Sequence, residues 1–437
     1  MVEKSVPAYY TLLLIFFSSL TYLSHIVERS QSIELILTYF AAFFSYFWLS
    51  KFEFDRFTSL FILGITVRLS LFFSLPDLSD DFYRFLWDGT LINNGINPYL
   101  SKPSDLLPGT IEGLNQKLYE GLNSKHYYTI YPPLNQGIFW LSTTIGDSLL
   151  SSVNVIRAFL LAAEIGSFLL LRSLMGDKKQ MVFWYFLNPL VILEITGNIH
   201  FEGFVVFFVL LTLFFIKKSQ IVRSAAALGL AAATKLLPLI FIPLISWKYR
   251  WKKGFMFFFI AISIVCLSFI PFIEPEFGLI SSFSLYFQKF EFNASIYYLL
   301  RQVGFLYYGY NIIETLGPRL AMVSVFLILF LAIYLNYYKR PVSEGLLFTL
   351  TVYLLLTTTI HPWYILLLIP LGLLSGYFYP VVWSFMIFMT YIGYGNEPYQ
   401  LPMLFVILEY LIVFLILTYE IWKNATNFHD NHLTHGT

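Results

Sequence analysis

The sequence has few charged residues and a single cysteine. Lys, Arg, Asp and Glu make up 12% of its 437 residues, whereas soluble globular domains carry roughly 25%. The formal net charge of +1 gives no case for nucleic acid as a partner. Cys266 lies inside an apolar run and cannot form an intrachain disulfide, so we interpret it as a small packing residue. The composition excludes a soluble domain and predicts a polytopic membrane protein.

The sequence also lacks the signatures of a nucleotide-binding protein. It has no glycine-rich strand–turn–helix cradle for phosphates and no soluble segment long enough for a nucleotide-binding domain. No fixed-period repeat and no low-complexity linker divides it. We therefore predict one membrane domain over residues 1–437.

Long apolar runs and aromatic residues are abundant. Aromatic residues make up 20% of the chain, with 47 Phe and 31 Tyr, which is more than interfacial belts require. Many of these rings are expected to line helix contacts or a lipid-facing groove. Apolar segments of bilayer length predict an all-α fold with about twelve transmembrane helices. The first, from Tyr9 to Ile26, is too long for a signal-peptide core and should remain as a span.

The distribution of basic residues predicts which loops face the cytoplasm. Lys51 and Arg56 lie in a short loop that the positive-inside rule places inside. The polar stretches 76–149 and 274–318 then become outer or lumenal loops, and the tail 424–437 is cytoplasmic. We expect any active site on the outer face.

A broken or re-entrant helix pair is predicted between Arg223 and Trp247. Both ends of this apolar segment carry basic residues of the kind found in cytoplasmic loops, while Lys235 and Pro238 lie in its middle. Irregular backbone at membrane depth is tolerated only beside protein or a wet cavity.

The first outer loop begins with four carboxylates and one arginine in twelve residues. A helix capped by Ser79 would separate two faces, one with Leu78, Phe82, Phe85 and Gly89 and the other with Asp77, Asp81, Arg84 and Asp88. The apolar face could lie on the membrane surface while the charged face points into water or a cavity. The alternative is a solvated interfacial helix whose first-turn carboxylates favour the positive end of the helix dipole. Residues 137–145 predict a second interfacial or re-entrant helix.

Ionisable residues from several segments converge on the outer face. His200, Glu202, Arg301 and His361 join the acidic helix there, and Lys235 could reach them from the broken helices. Carboxylates beside cations suit a reaction in which a base deprotonates a hydroxyl and cations receive a phosphate leaving group. The competing interpretation is structural: it pairs Asp80 with Arg84 at i,i+4 and treats His200 and Glu202 as a hydrated rim.

These residues also resemble a known family. The first-loop motifs are Asp80-Asp81-x-x-Arg84-x-x-Trp87-Asp88-Gly89, Gly95-x-Asn97-Pro98-Tyr99 and Tyr131-Pro132-Pro133-Leu134. The later motifs are Asn188-Pro189 with Glu194, Gly197-Asn198-x-His200-x-Glu202, Ala233-Thr234-Lys235-Leu236-x-Pro238 and His361-Pro362-Trp363-Tyr364. In this order they resemble the GT-C superfamily of membrane glycosyltransferases that use polyprenyl-phosphate sugars. The chain looks closest to bacterial mannosyltransferase-like members and to the catalytic subunit of GPI mannosyltransferase I.

The resemblance implies an inverting transferase that moves one hexose, namely mannose, from a polyprenyl phosphate to a glycan or lipid-linked acceptor. It implies a catalytic carboxylate at Asp81, with Asp80 as the alternative. Ser79 stands where many members have another acidic residue. The implied substrate-binding residues are Arg84, Asp88, Tyr131, His200, Glu202, Lys235, Arg301 and His361.

We predict no metal and no cofactor. The tail carries His429, His432 and His435, but nothing nearby would hold them as ligands, so a solvated tail is favoured over a metal site. The expected partners are the lipid-linked donor, the acceptor and membrane lipids.

Two other functions remain open at the level of sequence. A transporter or flippase for lipid-linked sugars would commonly show two broken helices related by an internal repeat, and the sequence indicates one. A polymerase of lipid-linked sugars would share both the membrane and the substrate class.

Overall fold

A computed structural model describes residues 6–51, 57–106, 108–274, 290–395 and 399–434. These residues are helical or irregular, and their only extended pairing is an isolated bridge between Phe292 and Thr359. The all-α class is confirmed. Arg56, residues 275–289 of the second outer loop and His435 of the tail lie outside the described residues.

Nineteen α-helices run through the described part of the chain. The first eleven are α1 Val6–His25, α2 Ser32–Leu49, α3 Phe57–Ser70, α4 Asp81–Asn93, α5 Gln116–Glu120, α6 Pro133–Ile145, α7 Leu149–Met175, α8 Phe183–Phe186, α9 Pro189–Val191, α10 Glu202–Lys217 and α11 Ile221–Thr234. The others are α12 Ile242–Lys248, α13 Arg250–Phe269, α14 Ile296–Tyr308, α15 Ile313–Tyr337, α16 Val342–Leu356, α17 Leu368–Ser375, α18 Tyr379–Met386 and α19 Met403–Thr434. Shorter turns of 3-10 helix connect several of them.

Six described helices are long and apolar enough to cross a membrane: α1, α2, α7, α13, α15 and α19. A seventh span results if residues 189–197 and α10, which are bent by 114°, count as one. The predicted number of about twelve spans is not confirmed. Several apolar runs that we counted as spans form shorter helices: the runs 344–360, 363–378 and 380–395 correspond to α16, α17 and α18, which have 15, 8 and 8 residues.

The chain breaks where the sequence predicted irregular backbone. Helix α11 ends at Thr234, Lys235 is extended, and a 3-10 turn leads into α12. A second irregular segment precedes α10, where residues 192–197 form a π-helix and Ile199 has a φ of 55°. Positive φ is rare for a β-branched residue, and such strain tends to cluster at functional sites.

Helix α4 differs from its predicted form. It begins at Asp81, and its N-cap is Asp80 and not Ser79 as predicted. The Ser79 hydroxyl accepts a hydrogen bond from the Asp81 amide at 3.3 Å. On the predicted charged face, Asp77 is exposed and Asp81 is partly exposed, whereas Arg84 and Asp88 are as buried as Phe85. The predicted interfacial segment forms α6, which packs directly against α4. The two helices therefore make a buried layer of the first outer loop.

This packing predicts that Gly89→Ala destabilises the protein. A β-carbon at Gly89 would lie 2.3 Å from the carbonyl oxygen of Phe139 in α6, so the two helices would have to separate. Overpacking of this kind typically costs about 1–3 kcal/mol. Thermal unfolding in detergent would measure the effect. Gly137→Ala in α6 is the matched control, because nothing lies within 4 Å of its added carbon. Equal loss of stability in both variants would contradict the close helix contact.

Candidate active site

A cavity of about 370 Å³ lies at the N-terminal end of α4. It is lined by residues 78–81, Arg84, 123–124, 127–131, 290–292, Thr359, His361, Trp363, Arg29 and Tyr394. Both predicted outer loops and the His361 segment therefore contribute to one site. Of the ten residues predicted for the site, Asp80, Asp81, Arg84, Tyr131 and His361 line this cavity.

Asp80 and Asp81 have different surroundings. The Asp80 carboxylate forms an ion pair with the Arg29 guanidinium at 2.9 Å. The Asp81 carboxylate accepts a hydrogen bond from the Asn123 side-chain amide at 3.0 Å and lies 3.8 Å from Nε2 of His200. Because Asp80 is already engaged by an arginine, Asp81 is the better placed of the two to contact a substrate hydroxyl. The alternative pairing of Asp80 with Arg84 is wrong, since Arg84 binds Asp88.

His200 is held behind Asp81 by a buried carboxylate. Its Nδ1 lies 2.9 Å from Glu194, and its Nε2 lies 3.2 Å from the hydroxyl of Ser79. Glu194 also accepts hydrogen bonds from Asn198 at 3.0 Å and from Tyr391 at 2.7 Å. These donors satisfy a carboxylate that has no exposed surface.

The pKa of His200 reflects two opposing effects. Burial is the largest single effect and lowers it, but the hydrogen bond and charge of Glu194, with the charges of Asp81 and Glu202, outweigh burial. The net result raises the pKa of His200 above its usual 6.5. When the ring is protonated, it places a positive charge beside Asp81.

Stacked rings connect His200 with the other side of the cavity. The ring of Trp363 lies 3.9 Å from that of His200 and 4.5 Å from that of His361 between ring centroids. Phe292 packs on the far side of His361 at 4.4 Å. Burial, followed by the charges of Lys235 and His200, lowers the pKa of His361 to about 3, so this ring is neutral at physiological pH. Its buried Nδ1 has no hydrogen-bond partner among the described residues.

Arg84 is buried and partly unsatisfied. Its Nε donates to Asp88 at 2.7 Å, and its Nη1 donates to the carbonyl oxygen of Tyr127 at 2.9 Å. Its Nη2 is buried without a partner in the part of the chain that the structure describes. Asp88 is fully buried between Arg84 and Gln136, so it positions Arg84 and does not reach the cavity.

The remaining predicted residues lie around the cavity, not in its wall. Lys235 reaches the residues around the cavity, where it pairs with Glu202 and lies 4.0 Å from the centroid of the Tyr364 ring. This pair replaces the predicted grouping of Glu202 with His200.

Arg301 and Tyr131 contact other residues of the site. Arg301 binds Glu291 at 2.6 Å, and Glu291 lines the cavity. The ring of Tyr131 packs edge-on against Phe85 at 4.9 Å, while its carbonyl oxygen accepts a hydrogen bond from Tyr99.

Four cavity or support residues were not assigned from the sequence: Arg29, Glu194, Glu291 and Tyr394. The charge-based topology already placed the turn that holds Arg29 on the outer side, so that residue could have been found. Glu194 belonged to a quoted motif without a role. Glu291 and Tyr394 approach the cavity through tertiary contacts that no local pattern signals.

The site combines a proton acceptor with hydrogen-bond donors. Asp81 carries the carboxylate that could accept a proton, and Arg84 and His361, each with a buried nitrogen that has no partner among the described residues, line the same cavity. Among the described residues, no group of three or more His, Cys, Asp or Glu side chains could hold a metal ion. The expectation of no metal stays a prediction.

The two histidines predict opposite pH dependences of stability. The raised pKa of His200 means that its stabilising contribution is fully present below about pH 6.5 and is lost as pH rises through the raised value. His200→Gln should therefore lower the melting temperature most in acid.

The lowered pKa of His361 has the reverse sign. Its neutral form stabilises the fold above pH 6.5, and that contribution is lost as pH falls toward 3. Thermal unfolding of His200→Gln and His361→Gln between pH 5 and 9 would measure the two trends. His126→Gln, which alters an exposed histidine, is the control. Parallel curves for His200→Gln and wild type would contradict the His200 contacts.

Comparison with known proteins supports the resemblance to bacterial mannosyltransferases. Residues 30–250, just over half of the chain, match the MptA_B family, described as alpha-(1->6)-mannopyranosyltransferase, N-terminal domain. A curated relative, alpha-(1->6)-mannopyranosyltransferase A of Corynebacterium glutamicum, is 25% identical over 182 residues, which make up 40% of this chain and 36% of the relative. The matched segment thus spans little more than a third of that relative.

No solved structure matches the chain. The matches give no specific support for a GPI mannosyltransferase. The family match includes helix α4, the His200 turn and Lys235. This chain therefore belongs to the MptA_B family of alpha-(1->6)-mannopyranosyltransferases.

Proposed function

We propose that this protein is an inverting mannosyltransferase that moves one mannosyl residue from a polyprenyl phosphate to a hydroxyl of a glycan or lipid-linked acceptor. The observation that carries the proposal is Asp81, a carboxylate in the cavity wall whose neighbour Asp80 is already neutralised by Arg29. Such a carboxylate can act as general base. The family supplies the class of reaction.

In the proposed reaction, the acceptor oxygen attacks the anomeric carbon while the bond from that carbon to the phosphate oxygen breaks. The hydroxyl proton moves to Asp81, and the phosphate leaves with the bonding electron pair. One displacement inverts the anomeric configuration. The family description names an α linkage, so inversion would start from a β-linked donor.

His200 would help to position the Asp81 carboxylate. Nε2 of His200 lies 3.8 Å from the Asp81 carboxylate, close enough to keep that side chain in position. Glu194 keeps the ring in this orientation through Nδ1. We therefore assign His200 a positioning role in place of direct substrate binding.

The leaving phosphate would meet hydrogen-bond donors on the same cavity wall. Arg84 offers its buried Nη2, and neutral His361 can donate from one ring nitrogen. Lys235 is less available than the sequence suggested, because Glu202 already neutralises it.

The donor is proposed to be lipid-linked and the reaction to occur on the outer face. Rings of Tyr127, Tyr128 and Phe290 line the cavity and could contact apolar parts of a lipid donor. The residues that the positive-inside rule assigns to the outer side meet at this one end of the helix bundle.

Asp81→Asn is expected to abolish transfer while donor binding survives, because the amide keeps the shape but cannot accept the acceptor's proton. Loss of a general base typically lowers the rate about 10²–10⁴-fold. Transfer by purified protein would be compared with that of Asp105→Asn, which alters an exposed carboxylate of the same loop outside the cavity lining. If Asp81→Asn stayed active and Asp80→Asn did not, the base would be Asp80. If both stayed active, the carboxylates would be structural.

The nature of the donor can be tested with matched substrates. Purified protein and acceptor would be given either a polyprenyl-phosphate mannose or the corresponding nucleotide mannose. We expect transfer only from the lipid-linked sugar, and analysis of the product linkage would report inversion. Transfer from the nucleotide sugar alone would overturn the proposal. Movement of the lipid-linked sugar across a vesicle membrane without transfer would favour the flippase alternative, and extension by many residues would favour the polymerase.

A further inference from the structure

The ion pair between Arg29 and Asp80 lies in the same cavity wall as Asp81. Arg29 comes from the turn between α1 and α2, and Asp80 precedes α4. Their side chains are 29% and 37% exposed, so solvent reaches both partners. Solvent-exposed ion pairs contribute little net stability. Another anion can therefore replace Asp80 beside Arg29 at small cost.

Arg29 would keep its place without Asp80. Its guanidinium carbon lies 4.6 Å from the centroid of the Tyr394 ring, a cation–π contact that does not involve the carboxylate. A guanidinium fixed in this way presents a planar set of donors, which suits two-point binding of a phosphate.

Asp80 would also tolerate separation from Arg29. It occupies the N-cap of the 13-residue helix α4, where the positive end of the helix dipole favours a negative charge. The other guanidinium in the cavity wall belongs to Arg84, whose buried Nη2 is unpartnered within the described residues. Glu291, a further carboxylate of the wall, is already neutralised by Arg301.

We propose that Arg29 binds the phosphate of a polyprenyl-phosphate ester by exchanging Asp80 for the phosphate, and that Asp80 is the resident counterion of Arg29. No covalent bond changes in this exchange, and both anions keep their charge. The inference rests on the proposed function, because it deepens the donor site of the same cavity. It also gives Asp80 a role different from that of Asp81.

Binding of farnesyl phosphate to the purified protein in detergent would test the exchange. We expect Arg29→Gln to weaken binding at least tenfold and Asp80→Asn to strengthen it severalfold, because the variant removes the competing carboxylate. Arg172→Gln is the matched control: Arg172 is also an arginine on an aromatic ring, 4.8 Å from the centroid of Phe57, outside the cavity lining. It should bind like the wild type.

Two further arms identify the source of the phosphate. Farnesol should bind equally to all variants, and inorganic phosphate should compete only at far higher concentration than farnesyl phosphate. Equal competition by inorganic phosphate would assign the site to a free phosphate and overturn the lipid-linked form of the proposal. Should Arg29→Gln fail to fold, Arg29→Lys keeps the charge but loses two-point binding, and an intermediate loss is expected.

The outcomes separate this inference from the proposed function. Unchanged binding in Arg29→Gln, or weaker binding in Asp80→Asn, would overturn the exchange even if mannosyl transfer depends on Asp81. Conversely, the expected binding pattern in a protein that transfers no sugar would support the phosphate site and contradict the transferase.

Discussion

The buried hydrogen bond between Glu194 and His200 determines the shape of the site. A carboxylate with no exposed surface is costly unless donors surround it, and Glu194 obtains three from different positions in the fold. One of them requires the chain to turn sharply after the π-helix, with Ile199 at a positive φ. That turn brings the imidazole beneath the first outer loop and against Trp363. This bond therefore helps to hold the strained turn in place.

A second buried cation supports the same turn. Arg157 in α7 donates to the carbonyl oxygens of Thr196 and Gly197, at the end of the π-helix, and to that of Ser74, just before the outer loop. One side chain therefore connects the segment that holds His200 with the segment that leads to Asp81. A buried guanidinium is costly unless its N–H groups find acceptors. Because these acceptors come from both segments, Arg157 helps to keep the two segments aligned.

Charges near the cavity occur as pairs whose partners come mostly from different elements. The pairs are Arg29 with Asp80, Arg84 with Asp88, Lys235 with Glu202 and Arg301 with Glu291. Burial near a membrane favours such pairing, since an isolated charge would be costly. Asp81 differs because its close neighbours are an amide and an imidazole. Asp81 is therefore not part of an arginine or lysine ion pair, unlike these neighbouring carboxylates.

The helical class, the break at Lys235 and the concentration of ionisable groups at one end were all predictable from local patterns. Apolar runs must form helices in a membrane, because their backbone groups have no water to bind. The number of spans was not predictable in this way, because the length of an apolar run does not reveal how long the helix inside it is. The burial of Arg84 and Asp88 was also missed, since an amphipathic pattern does not reveal that a second helix covers the polar face.

The sequence by itself determined which residues are available for chemistry and that they gather at one end of a helical membrane domain. Only the tertiary structure decided their roles, because a role depends on the partner that each charge meets. Arg29 meets Asp80 across 51 positions of the chain, and Lys235 meets Glu202 across 33. Periodicity describes neighbours within one helix, and these contacts join separate elements. The distinction between Asp80 and Asp81, adjacent and chemically identical in the sequence, arises entirely from that packing.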